Sequence, residues 1–585
     1  MRISVIQFNP LIGHVESNAQ RIIAQSMACR DRGIDLVVFP ELALCGYPPL
    51  DLLESENLVT NCLQWASHIA QQTSGIDIIF GMPLKNPESF GKSLLNGACR
   101  TADGQVQQYW AKTLLPDYDV FDEGRYFSPA PPNFNQLCSL GGVRIAVSIC
   151  EDIWYESLNH LYQRDPLDDG LYAQADWILN ISASPFQMGK ESLRHTVLSA
   201  VSRRLNKPLL YVNTCGAQAE LIFDGGSACY DLNGNKIASL PCFEANEADL
   251  TWSSGTWLAG VGWLSREEED AAADVTGGSF SDIGSSDQVQ CRDTRFQAQD
   301  AGDSEHELGQ LRSALVLGIR DFFSKQHLTK AVVGLSGGID SALVTVLATE
   351  ALGSDRVTAI LLPSPYSSAH SVEDSLELAG RLGVQCIQIP IHDAFSAHKE
   401  SLEQAFGRPL GDLTAQNVQS RIRCAMLMAA ANEWGAVLLN TSNKSEMSVG
   451  YGTLYGDTSG ALSVLGDLFK TRVYRLARYI NRSYGLIPDH IIEKAPSAEL
   501  KPGQTDSDDL PPYAMLDAVL ELYVEKGKDP EYLIDLGFDA LWVNRIIRMV
   551  DACEFKRFQS PPVLRVTDKA YGRGRVMPLV GKYVH

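Results

Sequence analysis

The sequence is short of several things, and each shortage excludes a class of protein. No run reaches the roughly 18 apolar residues that a membrane helix needs. The opening stretch, "MRISVIQFNPLIG", lacks the apolar core of a secretory leader. The 13 cysteines are odd in number, scattered and without a C-x-x-C pair, so they read as reduced thiols and not as a disulfide framework. None of the 11 histidines, His195 included, stands in a metal-ligand spacing, which leaves zinc out. Basic charge is scarce, with 49 Lys and Arg against 71 Asp and Glu. The net charge of −22 denies the chain the positive field that a general nucleic-acid binder needs. A local basic pocket for ATP or a dinucleotide stays open. There is no internal repeat. The expectation is a cytoplasmic protein with small-molecule partners, no nucleic acid and no membrane.

What is present is enough for more than one core. At 585 residues, 45% hydrophobic and 21% charged, the chain reads as a soluble globular enzyme of two or more domains. Residues 265–307 are rich in Asp, Glu, Ser, Gly and Ala and poor in large apolar groups, so they read as an exposed acidic linker. That divides the chain into domains 1–264 and 308–585. Before the seam, "RISVIQF", "IDLVVFP", "DIIFGMP", "VRIAVSIC", "DWILNISAS" and "PLLYVNTC" predict strands, with amphipathic stretches between some of them. After it, "KAVVGL", "VTAILLP", "VQCIQIPI" and "AVLLNTS" alternate with helical patterns. Consecutive βα units of that size predict a parallel sheet with ligands at the carboxyl ends of its strands.

The stretch "VVGLSGGIDSAL", residues 332–343, sits at one such strand end. Gly337 and Gly338 permit a tight turn with backbone N–H groups facing an anion, and the following helix adds its dipole. The hydroxyls of Ser336 and Ser341 can donate to phosphate. Asp340 fits beside phosphate only if a hard cation such as Mg²⁺ lies between them. No lysine stands where a Walker A loop requires it. An ordinary strand-to-helix turn capped by serine explains the glycines alone, but not the full S-G-G-x-D-S string.

That string resembles the phosphate loop of the N-type ATP pyrophosphatases. "QNVQSRIR" (416–423), "NTSNKSEMSVGYGTLYGD" (440–457), "DLFKTRVY" (467–474) and "APSAELKPGQTDSDDLPPY" (495–513) narrow the resemblance to the NAD synthetase family. The resemblance implies a Rossmann-like parallel-sheet domain that adenylates deamido-NAD⁺ with ATP and Mg²⁺, releasing pyrophosphate. It implies ATP binding by Leu335, Ser336, Gly337, Gly338, Ile339, Asp340, Ser341, Thr441 and Lys470. Deamido-NAD⁺ falls to Asn417, Arg421, Glu446, Asp457 and Lys556, and the metal to Asp340 and Glu446.

An amide-forming ligase needs nitrogen, and the front half holds the parts to release it from an amide. Glu41 closes "DLVVFPE", Lys112 follows "VQQYWA" and Cys150 follows "VRIAVSI". At three strand ends a carboxylate base, an ammonium for an oxyanion and a thiolate nucleophile can converge. With "FPELALCGYP", "YWAKTLLPDYDVFDEGRYF" and "VSICEDIW", the Glu–Lys–Cys order resembles the nitrilase superfamily, nearest to the glutaminase domain of glutamine-dependent NAD synthetases. The resemblance implies an α-β-β-α sandwich, binding of L-glutamine by Tyr118, Ser184 and Lys190, and a homo-oligomer. Ammonia made at one site and used at another implies a protein-lined channel. Two rivals fit parts of the sequence. A tRNA-thiolating or nucleotide-aminating relative of the phosphate-loop enzymes is opposed by "YGTLYGD" and "PSAELKPGQTD", and the acidic charge disfavours tRNA. A nitrogen-sensing scaffold is opposed by the intact Glu41, Lys112 and Cys150.

Overall fold

The computed structural model describes residues 1–158, 161–168, 170–218, 220–264 and 303–581. It divides into two compact units, Met1–Thr276 and Gly277–His585. Residues 265–302 of the expected linker lie outside the described residues. Its last residues, Glu305–Glu307, open the helix Glu305–Lys325, where Ser304 and Glu307 form a reciprocal capping box.

The front unit contains β1 (Arg2–Gln7), β2 (Leu36–Val38), β3 (Asp77–Lys85), β4 (Leu94–Ala102), β5 (Gln105–Ala111), β6 (Cys138–Leu140), β7 (Val143–Ile149), β8 (Trp177–Ser182), β9 (Leu209–Asn213), β10 (Cys215–Gln218), β11 (Leu221–Asp224), β12 (Ala228–Tyr230), β13 (Lys236–Ser239), β14 (Asn246–Ser253) and β15 (Thr256–Ala259). Seven strands form one sheet in the order β15-β14-β1-β2-β3-β4-β5, and six form another in the order β13-β12-β9-β8-β7-β6. The period of two explains how they stack. Ile3, Val5, Leu36, Val38 and Ile79 of the first sheet share a core with Ile145, Val147, Ile149, Leu179 and Ile181 of the second. The alternate residues face outward to helices. Ile6, Val37 and Phe80 pack with Ile22 and Ile69 of the helices Val15–Asp31 and Glu56–Gln72. Ala146 and Ile178 pack with Val197 and Val201 of the helix Lys190–Leu205. Strands buried on both faces read as continuous apolar runs, as in "VRIAVSI". The unit is an α-β-β-α sandwich.

The rear unit holds β16 (Ala331–Gly334), β17 (Val357–Leu361), β18 (Gln385–Gln388), β19 (Val437–Asn440) and β20 (Leu462–Ser463). They form a wholly parallel sheet in the order β18-β17-β16-β19-β20. The chain leaves β16 toward β17 on one side and later adds β19 on the other, so the strand order reverses at β16. Such a switch point opens a crevice at the carboxyl ends. A helical cluster built on Leu516, Leu520, Val543, Ile546 and Ile547 adjoins this layer. No helix among the described residues is long and apolar enough to cross a membrane.

Candidate functional site

In the front unit, Glu41, Lys112, Cys150 and Ser184 each follow the carboxyl end of a strand: β2, β5, β7 and β8. Glu41 and Lys112 are each 1% exposed, and Cys150 is 8% exposed. Lys112 Nζ donates to Glu41 Oε1 at 3.0 Å. The Ala183 N–H donates to Glu41 Oε2 at 2.7 Å, which ties the end of β8 to the same carboxylate. Gly81 is needed here because a Cβ at that position would lie 2.1 Å from the Leu42 amide nitrogen. Cys150 has φ of +45°, a left-handed conformation strained for a side-chain residue and of the kind held at functional sites. Burial pushes its thiol well above the usual range and the Glu41 carboxylate adds to this, with the Lys112 ammonium opposing. The resting nucleophile is therefore a thiol that needs a base.

Sequence reasoning missed a second carboxylate. Glu123 accepts from Lys112 Nζ at 2.8 Å, from Tyr47 Oη at 2.9 Å and from Asn96 Nδ2 at 3.2 Å. Asn96 Nδ2 also donates to Glu41 Oε1 at 2.7 Å. Burial raises Glu123 to about 7, opposed by Lys112 and reinforced by Glu41. Burial alone would lower Lys112, but Glu123 and Glu41 outweigh it and hold the ammonium charged. Asp152 is a further unassigned residue. Its Oδ1 accepts from the N–H groups of Thr113 (2.9 Å) and Leu114 (2.8 Å), and its Oδ2 accepts from Ile149 N–H at 3.1 Å. It therefore pins the chain after Lys112 to the turn of Cys150. Both Glu123 and Asp152 lie inside strings quoted above, but on 3₁₀ turns of three and four residues, too short for periodicity to carry a signal.

The expected glutamine residues lie around this centre. Tyr118 Oη donates to Glu151 Oε1 at 2.9 Å, and its ring meets Phe121 edge-on at 5.5 Å between centroids. Lys190 Nζ lies 6.0 Å from the ring centroids of both Phe121 and Trp154. The Ser184 N–H donates to Asn213 Oδ1 at 2.9 Å.

In the rear unit every expected nucleotide residue lines one cavity of about 580 Å³ at the switch point. Its floor is Leu335–Ser341. Gly337 has φ of +78°, and a Cβ there would come within 2.5 Å of the Ser371 carbonyl. Ser336 N–H donates to Ser341 Oγ (3.2 Å) and Gly338 N–H to Ser336 Oγ (3.3 Å), which fixes the turn. Asp340 Oδ1 accepts from Asn443 Nδ2 at 2.9 Å, and its Oδ2 pairs with Lys470. Lys470 Nζ also meets Glu446 Oε1 at 3.4 Å. Burial lifts Glu446 to about 8, opposed by Lys470 and reinforced by Asp340 and Asp506. Asp506, another residue the sequence did not single out, accepts from Tyr513 Oη at 2.8 Å and Tyr451 Oη at 3.4 Å.

Asn417 and Arg421 stand on the helix Asp412–Trp434 and line the cavity. Asn417 Oδ1 accepts from Thr453 Oγ1 at 2.8 Å. Arg421 Nε donates to the Leu454 carbonyl at 3.2 Å. Asp457 Oδ1 accepts from Thr453 N–H at 2.6 Å and Ser420 Oγ at 3.1 Å. Thr441 follows β19. Lys556 Nζ donates to the carbonyls of Gly450 and Gly452, both at 2.8 Å.

Asp340 and Glu446 offer hard carboxylate oxygens on one wall of this cavity. No group of three or more His, Cys, Asp or Glu gathers as a closed metal site among the described residues. The donor set fits a cation such as Mg²⁺ that takes one or two protein carboxylates and completes its shell with phosphate oxygens and water.

Comparison with known proteins matches each unit to a family of its own. The carbon-nitrogen hydrolase family model matches residues 2–251, and the NAD synthase family model matches residues 311–560. A glutamine-dependent NAD(+) synthetase of Synechocystis is 40% identical over 584 residues, covering 99% of this chain and 98% of its own. One of Thermotoga maritima is 36% identical over 594 residues, covering 100% and 99%. The solved glutamine-dependent NAD+ synthetase of Acinetobacter baumannii, in complex with ADP, superposes with a TM-score of 0.71 at 32% identity, covering 99% of this chain and 98% of that one. One from Cytophaga hutchinsonii shares the fold with a TM-score of 0.79 at 20% identity over the same shares. With relatives this similar over its whole length, the chain belongs to the glutamine-dependent NAD⁺ synthetase family.

Proposed function

We propose that the chain converts ATP, deamido-NAD⁺, L-glutamine and water to AMP, pyrophosphate, NAD⁺ and glutamate, in a cytoplasmic setting. The observation that carries this reading is the pairing of a Glu–Lys–Cys centre in one unit with a phosphate loop and a cavity of nucleotide size in the other.

In the front unit the Cys150 thiol gives its proton to Glu41 as sulfur attacks the glutamine δ-carbonyl carbon. Lys112, held cationic by Glu41 and Glu123, faces the oxygen on which negative charge develops. Glu41 returns the proton to the departing nitrogen, so ammonia leaves and a glutamyl thioester remains. Water attacks the thioester with Glu41 again as base, which releases glutamate and restores the thiol. Tyr118, Ser184 and Lys190 would hold the amino-acid end of the substrate.

In the rear unit the N–H groups and hydroxyls of Ser336–Ser341 would receive the ATP phosphates. Mg²⁺, when bound by Asp340 and Glu446, supplies charge neutralisation for the pyrophosphate. Lys470 adds a second cation on the same side. Asn417, Arg421 and Asp457 would place the nicotinate carboxylate of deamido-NAD⁺ so that its oxygen attacks the α-phosphorus. The bond to the β-phosphate oxygen breaks, pyrophosphate leaves, and ammonia then displaces AMP from the acyl-adenylate with loss of one proton. Ammonia would pass between sites within the protein, and labelled ammonium appearing extensively in NAD⁺ during glutamine turnover would contradict sealed transfer.

The test is product analysis with purified full chain. NAD⁺, AMP and pyrophosphate in equal amounts are expected, and ADP with orthophosphate would overturn the assignment.

A further inference from the structure

The two oxygens of Glu41 are not equivalent. Oε1 accepts from Lys112 Nζ at 3.0 Å and from Asn96 Nδ2 at 2.7 Å, so two donors occupy its two lone-pair directions. Among the described residues Oε2 accepts only the Ala183 N–H, at 2.7 Å. A proton arriving at this carboxylate therefore enters at Oε2, and the Ala183 peptide sets the direction in which that oxygen is open.

The Ala183 peptide is in turn held by Asn213. The strands β8 and β9 pair as far as Ser182 and Asn213. Beyond that point β9 leaves, and the hydroxyl of Thr214 and the N–H of Cys215 both donate to the Phe8 carbonyl. The Asn213 side chain takes the place of the departed strand. Its Oδ1 accepts the Ser184 N–H at 2.9 Å, and its Nδ2 donates to the Ser184 carbonyl at 3.2 Å. One amide thus ties down both backbone polar groups of the residue after Ala183. The amide is oriented from behind, because Nδ2 also donates to the Gly225 carbonyl at 2.8 Å and faces Asp224 Oδ1 at 3.5 Å. Asp224 accepts a two-pronged bond from Arg194, at 3.0 and 2.6 Å. Asn213, Asp224 and Arg194 are 0%, 2% and 3% exposed, so the fork is a buried ion pair in which each charge needs the other. Nothing in the reaction as derived above uses any of the three.

We propose that Glu41 takes and returns the Cys150 proton at Oε2, and that Asn213, oriented by the Arg194–Asp224 pair, is the positioning residue that aims this oxygen. The inference rests on reading Glu41 as the base. In the first step the S–H bond breaks as sulfur bonds the amide carbon, and the proton passes to the open side of Oε2. In the second the same proton moves from Oε2 to the nitrogen as the carbon–nitrogen bond breaks. Both transfers need one fixed direction at one oxygen. The Ala183 N–H supplies it only while the Ser184 peptide is clamped, since a peptide past the end of its strand partner is otherwise free to rotate.

The experiment measures two rates on the full chain: glutamine hydrolysis, and alkylation of Cys150 by iodoacetamide without glutamine, followed by mass spectrometry of the Cys150 peptide. Alkylation needs the thiol proton removed but does not need the substrate to be held. Asn213→Ala is expected to lower glutaminase kcat by about 10²-fold, the usual cost of a group misplaced by about 1 Å, with KM changed less than threefold. Alkylation should slow by at least about tenfold in the same variant. Arg194→Lys keeps a cation opposite Asp224 but not the fork, and is a milder second variant should Asn213→Ala fail to fold. It is expected to lose about three- to tenfold in kcat, again with KM steady and alkylation slowed. A rise in KM alone, with alkylation unchanged, would assign Asn213 to shaping the Ser184 turn and overturn the proposal. So would kcat unchanged in both variants. Glu41→Gln is the control for the underlying reading and should slow alkylation at least as much as Asn213→Ala. Alkylation as fast in Glu41→Gln as in the unmodified protein would remove Glu41 as the base, and the proposal with it. Slow alkylation in Glu41→Gln beside fast alkylation in Asn213→Ala would overturn the proposal alone.

Discussion

Asn443 donates its amide hydrogen to Asp340 at 2.9 Å across 103 positions of sequence, joining the phosphate loop to the short helix Lys444–Val449 that carries Glu446. The two carboxylates of the rear cavity are therefore set by one local framework, with Lys470 between them.

Asp340→Ala is expected to lower ATP–pyrophosphate exchange by about 10³-fold, whether nitrogen comes from glutamine or ammonium, because it removes a carboxylate that would hold the Mg²⁺ neutralising the departing pyrophosphate. Asn443→Ala should weaken exchange less, since it frees Asp340 without removing it. Unchanged exchange in Asp340→Ala would remove the residue from the site.

Cys150→Ala is expected to lose glutamine-supported NAD⁺ formation by on the order of 10⁴-fold, the usual consequence of deleting a nucleophile. Formation from high ammonium should stay within twofold. NAD⁺ formation assayed with each nitrogen source checks this, and loss of both activities would contradict two separable sites.

Much of this arrangement could be read from the residues, and the remainder has physical reasons for being hidden. "VRIAVSIC" and "DIIFGMP" announce strands because both faces are buried. β14, "NEADLTWS", gives a weaker signal because only Ala248, Leu250 and Trp252 turn inward. Residues that end strands, such as Glu41, Cys150 and Ser336, stand out against apolar runs. Asn96 does not, although it bridges Glu41 and Glu123, because a lone amide within β4 looks like any polar interruption. Lys556 lines the nucleotide cavity, and its ammonium also donates to the carbonyls of a glycine-rich loop, a contact only three dimensions supply.

Lys444 is wholly buried and donates to Asp467 Oδ1 (2.8 Å), Glu525 Oε1 (2.5 Å), Thr567 Oγ1 (2.7 Å) and the Lys569 carbonyl (2.9 Å). Asp467 Oδ2 accepts the N–H groups of Val566 and Thr567, so the C-terminal segment braces the Glu446 helix. Lys444→Met leaves two buried carboxylates without their cation. A loss of about 3–5 kcal/mol is expected, read as lowered thermal and denaturant midpoints. Lys444→Arg should recover part of it. A midpoint unmoved by Lys444→Met would show that the cluster contributes nothing net.

Glu123 gives the pH dependence its sign. Its carboxyl is raised to about 7 from a usual value of 4.5, so between those limits the folded chain binds more protons there than the unfolded chain. Stability from this group therefore falls as pH rises from about 4.5 to about 7, by on the order of 3 kcal/mol in total, and is flat above. Glu123→Gln should remove that slope from unfolding midpoints measured across the window. Function moves in the opposite sense, because the ionised carboxylate is what holds Lys112 cationic and oriented toward the developing oxyanion. Glutaminase kcat/KM should accordingly rise through pH 7 in the unmodified protein. In Glu123→Gln it should fall by about 10²–10³-fold and lose that inflection. Because the stability and rate effects of one proton run in opposite directions, a variant that altered both in parallel would point to general unfolding instead of the loss of this carboxylate.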